Sequence, residues 1–163
     1  MDERRLILSA RLSKNTAYGQ QKFTRSGRNE FRGVFCTALQ KIASTMRDLH
    51  KSKQLVSQDL FSASINMLCL NKLTKAKISD KVYLFRPRIV YRFLKTSFPS
   101  TGIRSSTTKL ATFYLDALAD QLLLACQAIL EKEKRRIITE KDVQKACRLV
   151  KNMAVLLLSE GSA

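Results

Sequence analysis

The residues best placed for chemistry are cationic: Arg104 follows one break in the apolar pattern, and Lys134, Arg135 and Arg136 cluster in a second. Cations at loop ends, beside the open amides of helix N-termini, bind phosphate. Other chemistries lack their residues. The single histidine, His50, and the four cysteines, Cys36, Cys69, Cys126 and Cys147, form no CxxC pair and no zinc set. Hydroxyl and carboxyl residues occur without a paired base or second carboxylate, so no catalytic site, cofactor or small-molecule substrate is expected. The cysteines fall in apolar stretches, which fits reduced thiols; Cys126 and Cys147 read as core packing and His50, beside Lys51, as surface.

Charge points the same way. The 163 residues carry 30 Lys+Arg against 13 Asp+Glu, a net +17, so a polyanionic partner is expected. Divided at residue 80, the charge splits as +9 and +8. A hydrophobic fraction of 45% is enough to build a core. No apolar run reaches the length of a membrane span, and no apolar leader follows Asp2 and Glu3, so an intracellular chain without a membrane partner is expected.

The elements that must position the cations are helices. Val34 to Arg86 and Ile103 to Glu160 contain neither glycine nor proline, punctuation that strands and hairpins need, so the fold class is all-α. Residues 1–29 read as a flexible basic tail. Phe31, Val34, Phe35, Ala38, Leu39, Ile42, Ala43, Met46 and Leu49 then trace one helical face. Ser57 can cap a second helix bearing Leu60, Phe61, Ile65 and Leu68, widened by Met67, Leu70 and Leu73. These two are expected to form an antiparallel hairpin within a 30–78 extension.

The remainder, 79–163, reads as short, long and short helices. Pro87 starts the first, Ser105 or Ser106 caps the long one to about Glu131, and Thr139 with Asp142 caps the last. Such a unit cannot close a core alone, because its long helix is apolar over too much of its circumference. It needs a partner of similar shape, and a head-to-tail pair would set the first loop of one beside the second loop of the other. The faces expected to meet that partner carry Phe93, Leu110, Phe113, Tyr114, Leu118, Leu122, Ile129, Val143 and Val150.

Tyr91, Leu94, Lys95, Pro99, Thr101, Gly102 and Ile103, followed by Arg135, Ile138, Thr139, Gln144, Ala146, Arg148 and Leu149 in ungapped register, resemble the core histones, and among them the 2B type. Ser159, Glu160 and Gly161 resemble that type's ending. The resemblance covers residues 86–161. It implies a histone fold, a heterodimer with a 2A-type histone, and wrapping of double-stranded DNA with the tetramer-forming histones of the nucleosome core. It further implies phosphate contacts by Ile103, Arg104 and Ser105 at one loop, and by Lys134, Arg135, Arg136 and Ile137 at the other. Arg135 would enter the minor groove and Tyr91 would touch phosphate, giving sequence-independent, salt-sensitive binding.

The chain departs from the family in its helical first half, a C-terminal helix that is nearly absent, an acidic docking surface reduced to Glu160, and Ala117 and Ala125 where acidic assembly contacts are expected. Such divergence suits a histone of a large DNA virus or a divergent protist. The setting expected is nuclear chromatin, or a viral factory or virion. Because its first half lacks the short-long-short order, the chain reads as a single unit and not as a fused doublet. The hairpin would then cover the surface left by the missing C-terminal helix or add DNA contacts. The competing reading is a histone-fold transcription-factor subunit that binds a specific promoter element with a non-nucleosomal partner.

Overall fold

A computed structural model describes residues 21–51, 54–68, 70 and 85–158. Six helices follow in order: α1 Arg25–Leu49, α2 Gln58–Met67, α3 Pro87–Ser97, α4 Ser105–Lys132, α5 Glu140–Leu149 and α6 Lys151–Leu158. The described part is all-helical apart from two isolated bridges.

The starts follow local chemistry. Thr24 caps α1 by accepting from the Gly27 amide at 3.0 Å, and Ser57 caps α2 by accepting from the Leu60 amide at 3.3 Å. At α5, Thr139 and Asp142 form a reciprocal capping box. Pro87 occupies the first turn of α3, where its missing N–H is no loss. Past its C-cap Glu133, α4 closes with Lys134 at φ 55°, the Lys134 amide donating to Glu131 and the Arg135 amide to Leu130 at 2.9 Å. That pairing satisfies carbonyls the last turn leaves open.

The expected boundary of the tail at residue 29 is corrected: α1 begins at Arg25. Polar composition hid the start, but the Thr24 cap and backbone pairing at Phe23 hold it. From Phe31 to Met46 the apolar face is buried as its period implied. On α2, Phe61 and Ile65 are buried while Met67 is exposed; Leu70 is buried, and Leu73 lies outside the described residues, as does Cys69.

The hairpin expectation meets a different arrangement. α1 packs not only on α2 but on α3, α5 and α6, while α4 packs on α2, α3 and α5. Each long helix is thus held by the short helix that follows it and by the one that follows the other. Phe23, just before α1, pairs in parallel with Ile138, just before α5; Val56, just before α2, pairs in parallel with Ile103, just before α4. The order of bridge, long helix, bridge and short helix therefore occurs twice along the chain. One hydrophobic core draws on both halves, from Phe31, Phe35 and Phe61 to Phe93, Leu118 and Leu156.

Within that core α4 is long and apolar enough to cross a membrane by length and composition, and 56% of its most apolar window is buried against the fold. The Tyr114 ring packs edge-on to Phe61 at 5.8 Å, yet its hydroxyl is buried without a hydrogen-bond partner among the described residues, and burial pushes its pKa up. Replacing Tyr114 with Phe keeps the ring contact and removes the unsatisfied group. Thermal unfolding of Tyr114→Phe should therefore show stability raised by about 1 kcal/mol; a lowered melting temperature would contradict this account.

Candidate nucleic-acid interface

Two loop pairs, set at opposite ends of α4, hold most of the cations singled out in the sequence. In the first, the Thr24 amide donates to the Ile138 carbonyl at 2.9 Å and the Ile138 amide to the Lys22 carbonyl at 3.0 Å. Gly27 makes this approach possible, because a Cβ there would lie 2.6 Å from the Ile138 carbonyl oxygen. Gln21 ties the pair sideways, its Nε2 donating to the Arg136 carbonyl and its Oε1 accepting from Gln127 Nε2 at 3.1 Å.

This pairing brings Lys22, Arg25 and Arg28 to the loop that carries Lys134, Arg135 and Arg136. Arg28 lies over the Phe23 ring at 5.9 Å. Reading residues 1–29 as a tail missed these three as partners of the second loop. The Thr24 cap was the available signal. Lys134, Arg136 and Ile137 are all exposed.

Arg135 stands differently from the expectation of a groove-entering side chain. Its guanidinium forks onto Asp142, Nη1 to Oδ2 at 2.9 Å and Nη2 to Oδ1 at 2.6 Å, and also contacts Glu133. Asp142 is buried and additionally accepts from the Thr139 amide at 2.9 Å and hydroxyl at 3.0 Å. The Arg135 hydrogen bond, with help from Thr139, holds the Asp142 carboxyl down to about 2, and the two carboxylates push Arg135 further up. Arg135 is thus a strut of the loop as well as a cation. Among the described residues no carboxylate pairs with Lys22, Arg25, Lys134 or Arg136.

At the second pair, the Val56 amide donates to Gly102 at 2.9 Å, the Arg104 amide donates to Val56 at 3.0 Å, and the Thr107 hydroxyl donates to the same Val56 carbonyl at 2.9 Å. Ile103 is half-buried, while Arg104 and Ser105 are exposed. α1, α2 and α5 have side-chain caps, but Arg104 supplies none to α4; the Thr107 and Thr108 amides donate to the Arg104 carbonyl, and those of Ser105 and Ser106 remain open to an anion.

Tyr91 is 39% exposed on α3, with Arg88, Arg92 and Lys95 at helical spacing on the same face. Arg88 and Arg92 were not singled out in the sequence, although their spacing from Tyr91 was the signal. Lys95 donates to the Thr101 carbonyl at 2.8 Å, which steadies the turn into α4.

The faces expected to meet a separate partner are occupied within the chain. Phe93, Leu118, Leu122 and Val143 are fully buried and Tyr114 nearly so; Leu110, Ile129 and Val150 are partly buried against the same core, and Phe113 is half-buried. Cys126 and Cys147 are buried with free thiols, each pushed up to about 12 by burial, and so are poorly nucleophilic at neutral pH. Among the described residues no cluster of His, Cys, Asp and Glu could hold a metal ion. His50 is half-buried and not a plain surface residue; Nε2 is 2.8 Å from the Gln54 carbonyl.

No protein-family model matches this chain, and no curated protein matches it.

Proposed function

We propose that the chain packs double-stranded DNA as a divergent core histone of 2B type whose companion half-fold is its own residues 23–68. The carrying observation is the crossed pairing of loops, Phe23 with Ile138 and Val56 with Ile103, each end bearing exposed cations. The crossing supports reading the two halves as the head-to-tail pair expected of two units, joined in one chain. In this proposal the first half replaces the separate 2A-type histone, and the single-unit reading gives way to a joined pair.

Lys22, Arg25, Lys134, Arg136 and Ile137 at one end, Ile103, Arg104 and Ser105 at the other, and Tyr91 with its basic neighbours on α3 engage the DNA backbone. Assembly with tetramer-forming histones completes the particle. The setting is wherever that DNA lies: nuclear chromatin, or the host nucleus, factory or virion if the chain is viral.

Binding to duplexes of unrelated sequence should be equally tight and should fall by orders of magnitude as salt rises a few-fold. Competition binding at several salt concentrations checks this. Nuclease digestion of complexes assembled with tetramer-forming histones should leave fragments of near-uniform length; a single short footprint on one element would favour the promoter-binding alternative. Circular dichroism of the chain expressed alone tests the joined pair, since an unfolded chain that folds only with a 2A-type histone would refute it.

A further inference from the structure

We propose that the pocket between the C-terminal end of α1 and the turn joining α3 to α4 is a phosphate subsite. Arg47 and His50 form one wall, and Ser97, Ser100 and Thr101 stand on the other. The pocket is a shallow depression of about 210 Å³, open to solvent and roomy enough for a phosphate group with a few waters at roughly 30 Å³ each. No carboxylate lines it among the described residues.

Three observations point to an anion of this kind. Arg47 is exposed, and no carboxylate among the described residues pairs with it. Ser97 is only 7% exposed, yet its hydroxyl makes no hydrogen bond to the described residues; the neighbouring Thr96 takes the Phe93 carbonyl at 2.6 Å. That hydroxyl lines the pocket and is free to donate to a ligand oxygen. The His50 ring is held against the pocket by Gln54 and by edge contact with Phe98 at 5.3 Å.

The C-terminal ends of α1 and α3 both lie nearby, and their carbonyls oppose an anion with roughly half a charge each. Much of that opposition is answered internally. The His50 amide donates to Arg47, the Phe98 amide donates to Leu94 at 3.1 Å, and Lys95 donates to Thr101. The full charge of Arg47 then dominates the pocket. Because Thr101 and Gly102 lead directly into the Val56–Ile103 bridge, the pocket extends the contact placed at Arg104, and a DNA backbone as the phosphate's source rests on the proposed function.

The full-length chain is titrated with inorganic phosphate while amide and His50 ring resonances are followed by NMR, and duplex affinity is measured against salt. Both are done for wild type, Arg47→Gln, Arg47→Lys and Ser97→Ala, with circular dichroism to confirm folding. Phosphate should move the resonances of residues 97–101 and His50 in wild type but not in Arg47→Gln, and Ser97→Ala should weaken phosphate about threefold. If the source is DNA, the slope of log affinity against log salt should shrink by about 0.9 in Arg47→Gln and recover in Arg47→Lys. Lost phosphate shifts with an unchanged slope assign the pocket to free phosphate. If Arg47→Gln changes neither, the subsite is refuted. A chain that binds no duplex at all refutes the packing reading instead, and the phosphate titration still decides the pocket.

Discussion

Gly27→Ala should lower stability by about 2 kcal/mol, the cost typical of forcing a methyl into a filled space. The sign is contested, since alanine in a helix gains roughly 0.5–1 kcal/mol over glycine. Here the new Cβ would meet the Ile138 carbonyl oxygen at 2.6 Å, the Thr24 hydroxyl at 2.9 Å and the Thr139 carbonyl carbon at 3.1 Å. Two of these are backbone atoms of the bridge partner and cannot swing away. The clash also presses on the acceptor that holds the Thr24 amide, so the loop pair should open. A melting temperature lower by about 6 °C is expected. Gly33→Ala is the control: Gly33 lies on the same helix and lines an open groove between α1 and α6. That variant should be neutral or slightly stabilised. If both behave alike, helix propensity governs and the close approach at Gly27 is unimportant.

Asp142→Ala should cost about 2 kcal/mol, because it removes a helix cap worth about 1 kcal/mol and leaves the part-buried Thr139 amide and the Arg135 guanidinium without the acceptor that Asp142 supplied. Asp142→Asn keeps part of the cap and should cost less. The pH dependence has a definite sign. Asp142 is held at about 2, below the ordinary 3.8 of the unfolded chain, so its stabilisation is present above pH 4 and is lost as pH falls toward 2. The stability gap between wild type and Asp142→Asn should therefore shrink across that window in acid-titrated thermal melts. A gap that stays constant would show that the carboxylate's charge is not what Arg135 rewards. If the proposed function holds, Asp142→Asn should also tighten binding to duplex DNA while it destabilises the fold, since among the described residues Arg135 would keep only the exposed Glu133 as its ionic partner.

Where the sequence was informative, a local rule was enough. The Phe31 to Met46 stripe, the Ser57 and Thr139 caps and Pro87 at a first turn are each set within a few residues. Crossing of the loops was not legible in the same way. Phe23 sits among polar neighbours, Val56 has only Leu55 beside it as an apolar neighbour, and a bridge of two hydrogen bonds leaves no periodic trace. Yet a fainter signal existed: a long helix and then a short one with a Ser or Thr cap occur in both halves, with Phe23 and Ile103 80 residues apart and Val56 and Ile138 82 apart. The apolar stripe drew attention to what α1 buries, when its start at Thr24 was the clue to what it joins.

At the candidate interface, the cations of the second half were legible as clusters because they adjoin helix ends. Lys22, Arg25 and Arg28 were not, because their role depends on a contact made more than a hundred residues away. The tie between Arg135 and Asp142 was hidden for a different reason. A capping carboxylate needs one oxygen for the helix, and nothing in the local pattern says where the other will go.

The crossed loop pairs have a consequence in mass action. Two separate chains held by such bridges come apart on dilution, and their pairing depends on balanced supply of both. Here residues 23–68 and 85–158 belong to one chain, so each half meets the other at an effective concentration set by the tether, whatever the protein's abundance. One-to-one stoichiometry is built in at translation, and neither half can be exchanged for a competing partner without first opening the shared core.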